Sequence, residues 1–282
     1  MKELPGAKRM FLLMDAVPDS GKLKTLQKAI ELLRCFDAAH PVLGISDLSR
    51  RLDLPRSVVY RIATTLKSEG LLEQEVGSRR YRIGIGLFDL GARYTHRHRW
   101  LPLALEALKD LVASTGHTGY VGVLAGPDVV VLASEAGAYR VRLVVKPGER
   151  FPAYATAIGK ALLARLPDEE VARLYGNMPL IPLTRATLRE IPALLAELGR
   201  TRTRRYAVAD QETFDGIKAA GIGFTSTADD ESFALSVSYP IAGVSPQDEQ
   251  RIVEALLLRG ERLGRALGDR WWDTAAGRPR RR

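Results

Sequence analysis

Apolar positions recur at helical spacing through residues 45–70 and divide that stretch into two short helices. Leu48 and Leu52 lie four residues apart in the first helix, and Ser46 stands where an N-cap residue is expected. Pro55 separates the helices, because proline suits the first position of a helix and disfavours helical backbone at the residue before it. The pattern predicts a helix-turn-helix.

The polar face of the second helix carries side chains suited to reading DNA. Val58, Ile62 and Leu66 are predicted to point inward, which leaves arginines, hydroxyls and a tyrosine outside. Such side chains form hydrogen bonds with base edges in the major groove and with backbone phosphates. The predicted DNA contacts in the helix pair are Ser46, Arg56, Ser57, Val59, Tyr60, Arg61, Thr64 and Thr65.

A basic hairpin follows the helix pair. Residues 71–75 and 81–83 are predicted as two strands, and Arg79 and Arg80 lie in the turn between them. Charged turns are usually only solvated. Directly after a helix pair of this kind, however, we expect both arginines to contact phosphates or the minor groove. The hairpin therefore indicates a winged helix-turn-helix.

After residue 100, hairpin-joined strands alternate with amphipathic helices. Strands are predicted at residues 120–124, 129–133, 140–145, 206–208, 217–224 and 233–239, and a helix over 247–267 closes the domain. Strands joined by short turns favour an antiparallel α+β sheet over a doubly wound parallel one. The predicted division is a disordered arm (1–21), the winged helix-turn-helix (22–84), a linker helix (85–100), the α+β domain (101–270) and a basic tail (271–282).

Positive charge is concentrated in the N-terminal third of the chain. Residues 1–100 carry a net charge of +7, residues 101–270 carry −1 and the last twelve residues carry +3. A basic domain beside a near-neutral one is typical of a nucleic-acid-binding module. The single cysteine, Cys35, excludes an internal disulfide and fits a reducing cytoplasm. With no apolar run of the ~18 residues that a membrane span needs, we expect a cytoplasmic protein.

The α+β domain lacks the residue pattern of an enzyme. Its only histidine is His117, and no serine-hydrolase elbow, zinc-protease motif or pair of spaced cysteines occurs. Gly159–Lys160 resembles the end of a phosphate-binding loop, but Tyr154 and Ala161 stand where that loop needs Gly and Ser or Thr. We expect no catalytic site, no metal and no cofactor.

Residues 151–160 favour a small-molecule pocket instead. Small residues at a helix start let a ligand approach the backbone, whose free N–H groups attract a carboxylate, while Phe151 and Tyr154 would supply apolar walls. The alternative is a tightly packed corner between strand and helix. Ser236 and Ser238 share one face of a predicted strand, so they are polar anchors if that face is inward and merely solvated if it is outward.

The chain resembles the IclR family of transcriptional regulators over residues 22–268. The resemblance is carried by residues 26–33, 54–61, 81–84, 148–152, 159–164, 206–212 and 235–238 in that order and spacing. It implies a winged-helix DNA reader and a GAF-like effector domain, in dimers or tetramers on palindromic double-stranded operators. Residues 150–156 and 207–212 resemble the branch that senses aromatic acids such as protocatechuate or 4-hydroxybenzoate.

Residue pattern and resemblance together give a predicted effector site. Its residues are Arg140, Leu143, Phe151, Tyr154, Ala157, Ile158, Gly159, Asp210, Ile217, Ala219, Ser236 and Ser238. Many family members carry an acidic residue where Ala209 stands and a cysteine or small polar residue where Ala219 stands, so these alanines suit a more apolar effector.

The expected function is regulation of a catabolic operon in response to a small, aromatic, carboxylate-like effector. Repression or activation would depend on where the operator lies relative to the promoter. One alternative is a DNA-binding protein whose second domain only oligomerises. Another is an enzyme fused to a DNA-binding domain.

Overall fold

The computed structural model describes residues 23–37, 39–139 and 143–273. The chain divides into two units between His98 and Arg99, inside the segment predicted as the linker helix. The predicted arm and most of the predicted basic tail lie outside the described residues.

The first unit is a winged helix-turn-helix, as predicted. Its elements are α1 (Lys24–Arg34), β1 (Val42–Gly44), α2 (Ile45–Leu52), α3 (Arg56–Ser68), β2 (Leu72–Gln74), β3 (Arg80–Ile83) and α4 (Ile85–Arg97). The sheet is antiparallel in the order β1-β3-β2. Strand β1 was not predicted, because three residues are too few to show an alternating pattern.

Two details of the helix pair differ from the prediction. The buried stripe of α3 is Val59, Ile62, Ala63 and Leu66, so Val59 packs in the core with no exposed surface and its side chain cannot contact DNA. Gly44, and not Ser46, is the N-cap of α2, and the Gly44 N–H donates to Asp47 Oδ2 at 3.2 Å.

The second unit is an antiparallel α+β domain, as predicted. Its elements are α5 (Trp100–Thr115), β4 (Thr118–Ala125), β5 (Asp128–Glu135), β6 (Arg150–Pro152), a 3₁₀ turn (Ala153–Ala155), α6 (Ala157–Leu163), α7 (Asp168–Tyr175), α8 (Ile191–Arg204), β7 (Ala207–Asp210), β8 (Ile217–Ser226), β9 (Glu231–Pro240), α9 (Pro246–Leu267) and a 3₁₀ turn (Arg270–Trp272). The six strands pair in the order β6-β5-β4-β9-β8-β7.

The two faces of this sheet pack against different helices. Alternate residues such as Ile222, Phe224 and Leu235 form one core with α5 and α9. The opposite face lies against α6, and the approach there is close: a Cβ atom added at Gly221 would come within 2.9 Å of the Ala157 backbone. The second face therefore holds α6 against the sheet while leaving room beside it.

Two further expectations about the second unit were wrong. Leu143–Val145, the described part of the predicted strand 140–145, forms no strand, because β5 pairs with β6 after the turn at Pro147 and Gly148. Trp272, assigned to the tail, is buried against Gly260 and Gly264 of α9 and belongs to the folded domain. No helix in the described ranges is long and apolar enough to cross a membrane.

Candidate functional site

The outer face of α3 presents a row of polar side chains to solvent. Six of the predicted contacts are exposed there, namely Arg56, Ser57, Tyr60, Arg61, Thr64 and Thr65, and Ser46 is exposed in the first turn of α2. The stripe that includes Val59 and Ile62 fixes this face outward by packing into the core of the first unit. The structure therefore brings seven of the eight predicted helix contacts to the surface.

The arginines of this face are more available to a partner than the threonines. Thr64 Oγ1 donates to the Tyr60 carbonyl at 2.6 Å, and Thr65 Oγ1 donates to the Arg61 carbonyl at 3.0 Å. Within the described part of the chain, the guanidinium groups of Arg56 and Arg61 form no hydrogen bond or ion pair. These two arginines are thus the strongest candidates for base or phosphate contacts.

Arg79 and Arg80 of the wing also differ in how available they are to a partner. Arg79 is exposed in the turn, whereas Arg80 begins β3 and donates from Nη2 to the Val42 carbonyl at 2.9 Å. Arg82 is also held, by Glu73 at 2.9 Å. Arg79 is therefore the more available cation of the wing.

A cavity lies on the α6 face of the sheet in the second unit. Its walls are mainly aliphatic and aromatic, with five hydroxyl-bearing side chains among them. They are Tyr120, Val129, Val131, Leu143, Val145, Phe151, Thr156, Ala157, Ile158, Ala209, Thr213, Phe214, Ile217, Ala219, Ser236 and Ser238. A mostly apolar cavity with a few converging polar groups is the usual form of a small-molecule site.

Strand register explains how the sequence makes this space. Ala219 of β8 lies opposite Ser238 of β9, and Gly221 of β8 lies opposite Ser236, so small residues meet across the middle of the sheet. Helix α6 begins beside them at Ala157. The cavity is therefore the gap that these small residues leave between sheet and helix.

Three of the five hydroxyl-bearing residues of the cavity, Tyr120, Ser236 and Ser238, are buried. Ser236 and Ser238 are 3% and 7% exposed, which decides that their strand face is inward. The Tyr120 hydroxyl donates to the Leu143 carbonyl, and burial raises the pKa of Tyr120 although the nearby Ser238 hydroxyl partly opposes that shift. Ser238 Oγ itself completes no hydrogen bond of normal geometry in the described structure. It is a buried polar atom able to accept a ligand's hydrogen bond.

Eight of the twelve predicted effector residues line this cavity, and three do not. Tyr154 is buried in the neighbouring core, where its hydroxyl donates to the Ile181 carbonyl at 2.7 Å. The Gly159 N–H, expected to be free for a ligand, donates to Thr156 Oγ1 at 2.9 Å. Asp210 is exposed, 3.5 Å from Lys218. The twelfth residue, Arg140, lies outside the described residues.

Sequence reasoning missed half of the lining residues. Alternation along β4 and β5 indicates Tyr120, Val129 and Val131 once the inward face is known. Thr213 and Phe214, in contrast, lie in the irregular segment after β7, where no periodicity reveals an inward direction.

A buried ion pair also escaped the sequence analysis. Lys160 Nζ lies 2.6 Å from Glu212 Oε1 behind the cavity wall, and the Lys160 side chain is 1% exposed. Burial lowers the pKa of Lys160 and raises that of Glu212, and each group opposes the other's shift. No group of histidines, cysteines and carboxylates in the described ranges is arranged to hold a metal ion.

Comparison with known proteins identifies both domains. The family model for the IclR helix-turn-helix domain matches residues 25–76, and that for the bacterial transcriptional regulator IclR C-terminal domain matches residues 92–264. The transcriptional regulator BhcR of Paracoccus denitrificans is 27% identical over 252 residues, which cover 89% of this chain and 90% of BhcR. The transcriptional repressor AllR of Salmonella typhi is 28% identical, covering 87% of this chain and 90% of AllR.

A solved structure shows the same fold. An IclR homologue from Microbacterium hydrocarbonoxydans, crystallised with 4-hydroxybenzoate, has a TM-score of 0.71 and 23% identity over 86% of this chain and 99% of that chain. These relatives are regulators and not enzymes. Because the C-terminal family model alone spans more than half of the sequence, the chain belongs to the IclR family of bacterial transcriptional regulators.

Proposed function

We propose that the protein regulates a catabolic operon by binding a palindromic operator as a dimer or tetramer in the bacterial cytoplasm. Its effector would be a small aromatic carboxylate held in the cavity of the second unit. The single observation that carries the effector proposal is the mainly apolar cavity with two buried serines, one of which, Ser238, completes no hydrogen bond of normal geometry.

The walls of the cavity support an aromatic ligand. Phe151 and Phe214 meet edge to face with ring centroids 5.9 Å apart, and both line the cavity. A flat ring placed against them would gain apolar burial and favourable aromatic geometry. The 4-hydroxybenzoate bound by the Microbacterium homologue is a ligand of this class, so it is the first compound to test.

Exposed apolar side chains support self-association through the first unit. On α4, Ile85 is 64% exposed and Phe88 is 69% exposed, and Leu90 also faces solvent. Such residues are normally covered in the working form of a protein. A second copy would cover them and place two α3 helices on the two halves of a palindrome.

Calorimetry tests the effector proposal. Purified protein is titrated with 4-hydroxybenzoate, protocatechuate and pyruvate, and we expect saturable heat with at least one aromatic acid and none with pyruvate. Ala219→Leu is the matched control, because its larger side chain enters the cavity from β8. Absence of heat with every acid would favour the alternative in which the second domain only oligomerises.

A DNA-binding assay with and without the effector completes the test. A labelled fragment from upstream of the gene is titrated with protein, with and without the acid that binds. An effector changes operator affinity only by its differential affinity for the two states of the protein. We expect a shift of about 5–150-fold in Kd, lost in Ala219→Leu.

A further inference from the structure

The buried pair of Lys160 and Glu212 is costly for a protein to keep. Both side chains are about nine-tenths buried or more, and their charged atoms are 2.6 Å apart. Removing two charges from water costs several kcal/mol per ion, and an apolar pair of similar volume often serves the fold equally well. Because the pair is so costly, we looked for a role other than general stability.

The two residues join two different parts of the cavity wall. Lys160 belongs to α6, whose first residues Ala157 and Ile158 line the cavity. Glu212 directly precedes Thr213 and Phe214, which line it from another side. Neither charged residue lines the cavity itself. The ion pair thus connects two wall segments from behind.

Other contacts converge on the same irregular segment. The Glu212 carbonyl accepts a hydrogen bond from Thr187 Oγ1 at 2.7 Å, and Thr213 Oγ1 donates to the Ala155 carbonyl at 2.5 Å. Within the segment, the Gln211 N–H donates to the Ile217 carbonyl at 2.9 Å. Of these contacts, the ion pair alone ties the segment to a side chain of α6.

We propose that Lys160 and Glu212 are positioning residues for the effector: their ion pair fixes residues 211–217 so that Phe214 packs edge to face on Phe151 in the cavity wall. Without the pair, Phe214 would sample other placements, and a ligand would have to order the segment as it binds. The ordering cost would appear as lost affinity. This inference rests on the proposed effector function.

Two double variants separate positioning from general stability. Lys160→Met/Glu212→Met replaces the pair by side chains of similar length and leaves no uncompensated buried charge. Arg165→Met/Asp269→Met is the control. It removes another buried pair of the same domain, 2.8 Å apart, whose residues do not line the cavity or contact the 211–217 segment.

Hydrogen–deuterium exchange measures how firmly residues 211–217 are held when no ligand is present. The amides of Gln211, Gly216 and Ile217 are all hydrogen-bonded inside the segment, so their exchange is slow while the segment is fixed. We expect at least tenfold faster exchange of residues 211–217 in the Lys160/Glu212 variant, with β8 beyond Ala219 unchanged. In the Arg165/Asp269 variant, Tm should fall while exchange of residues 211–217 stays as in the wild type.

Calorimetry with 4-hydroxybenzoate and protocatechuate supplies the second readout. We expect at least tenfold weaker binding in the Lys160/Glu212 variant and unchanged binding in the control. Unchanged exchange of residues 211–217 overturns the proposal, and so does faster exchange with unchanged affinity. If the wild type binds neither acid, the proposed function fails, and the exchange result still supports or overturns the fixing of the segment. Should that double variant not fold, Lys160→Met/Glu212→Gln, which removes the ion pair but keeps a side-chain acceptor for the Asp210 N–H, carries the same two readouts.

Discussion

Arg61 is the residue through which DNA recognition by α3 is tested most directly. Its side chain lies on the exposed face of the helix between Tyr60 and Thr64, and within the described residues its guanidinium forms no hydrogen bond or ion pair. Truncation to alanine therefore breaks no hydrogen bond or ion pair among the described residues. Alanine is also the best helix former, so α3 should keep its conformation in Arg61→Ala.

The size of the effect depends on what the guanidinium contacts. An arginine that reads a base edge contributes about 1–3 kcal/mol, which is roughly a 5–150-fold change in Kd per half-site. An arginine that contacts only phosphate weakens binding to all sequences and lowers the slope of log K against log salt by about one. If the protein binds a palindrome as a dimer, as proposed, the contact is lost at both half-sites.

Fluorescence anisotropy on two duplexes distinguishes these cases. Kd is measured for the operator and for a scrambled sequence from 50 to 300 mM salt, first in the wild type and then in Arg61→Ala. Arg251→Ala is the control, because Arg251 is an exposed arginine of α9 in the second unit. A Kd for the operator within twofold of the wild-type value at every salt concentration would refute the assignment of α3 as the recognition helix.

Three further expectations concern the second unit. Ser238→Ala should weaken binding of the aromatic acid in calorimetry while operator binding without effector is retained; loss of operator binding would instead indicate a structural role. Trp272→Ala removes a buried ring beside Gly260 and Gly264 and should lower the free energy of unfolding in urea by about 3–5 kcal/mol, whereas a loss below 1 kcal/mol would contradict this packing. Burial lowers the pKa of His117, so its contribution to stability is complete above the unfolded pKa of about 6.5 and is lost as pH falls through the folded pKa. His117→Phe should therefore show a smaller drop in Tm between pH 7.5 and 5 than the wild type, and equal drops would exclude this residue as the cause.

Helices and strands were predictable because apolar residues recur in each at a characteristic spacing. The turn at Pro55 and the closing helix before Gly268 were recognised from local chemistry alone. The error at Val59 shows the limit of that reasoning. The spacing of positions 58, 62 and 66 predicts the inward stripe, but successive steps of four residues drift by about 40° around a helix. The true stripe alternates steps of three and four, which brings Val59 inside.

The cavity was predictable only in part, since some of its walls depend on long-range contacts. Ser236 and Ser238 were placed on one face by the strand period, although only the packing of α6 shows that this face is buried. Tyr154 looked equally suitable as a wall, but its hydroxyl finds the Ile181 carbonyl 27 residues away. The partner of Lys160 lies 52 residues along the chain. No local pattern encodes such separations.

The alternation of the central strands has a practical consequence for engineering ligand-responsive gene switches. Along β8 and β9, one set of side chains fills the core with α5 and α9, and the intervening set, including Ala219, Ser236 and Ser238, faces the cavity. A library randomised at those three positions alone would leave the first core untouched and would keep Gly221, against which the α6 backbone packs. Such a library should yield many folded variants with new chemical preferences, because selectivity and folding draw on different residues of the same two strands.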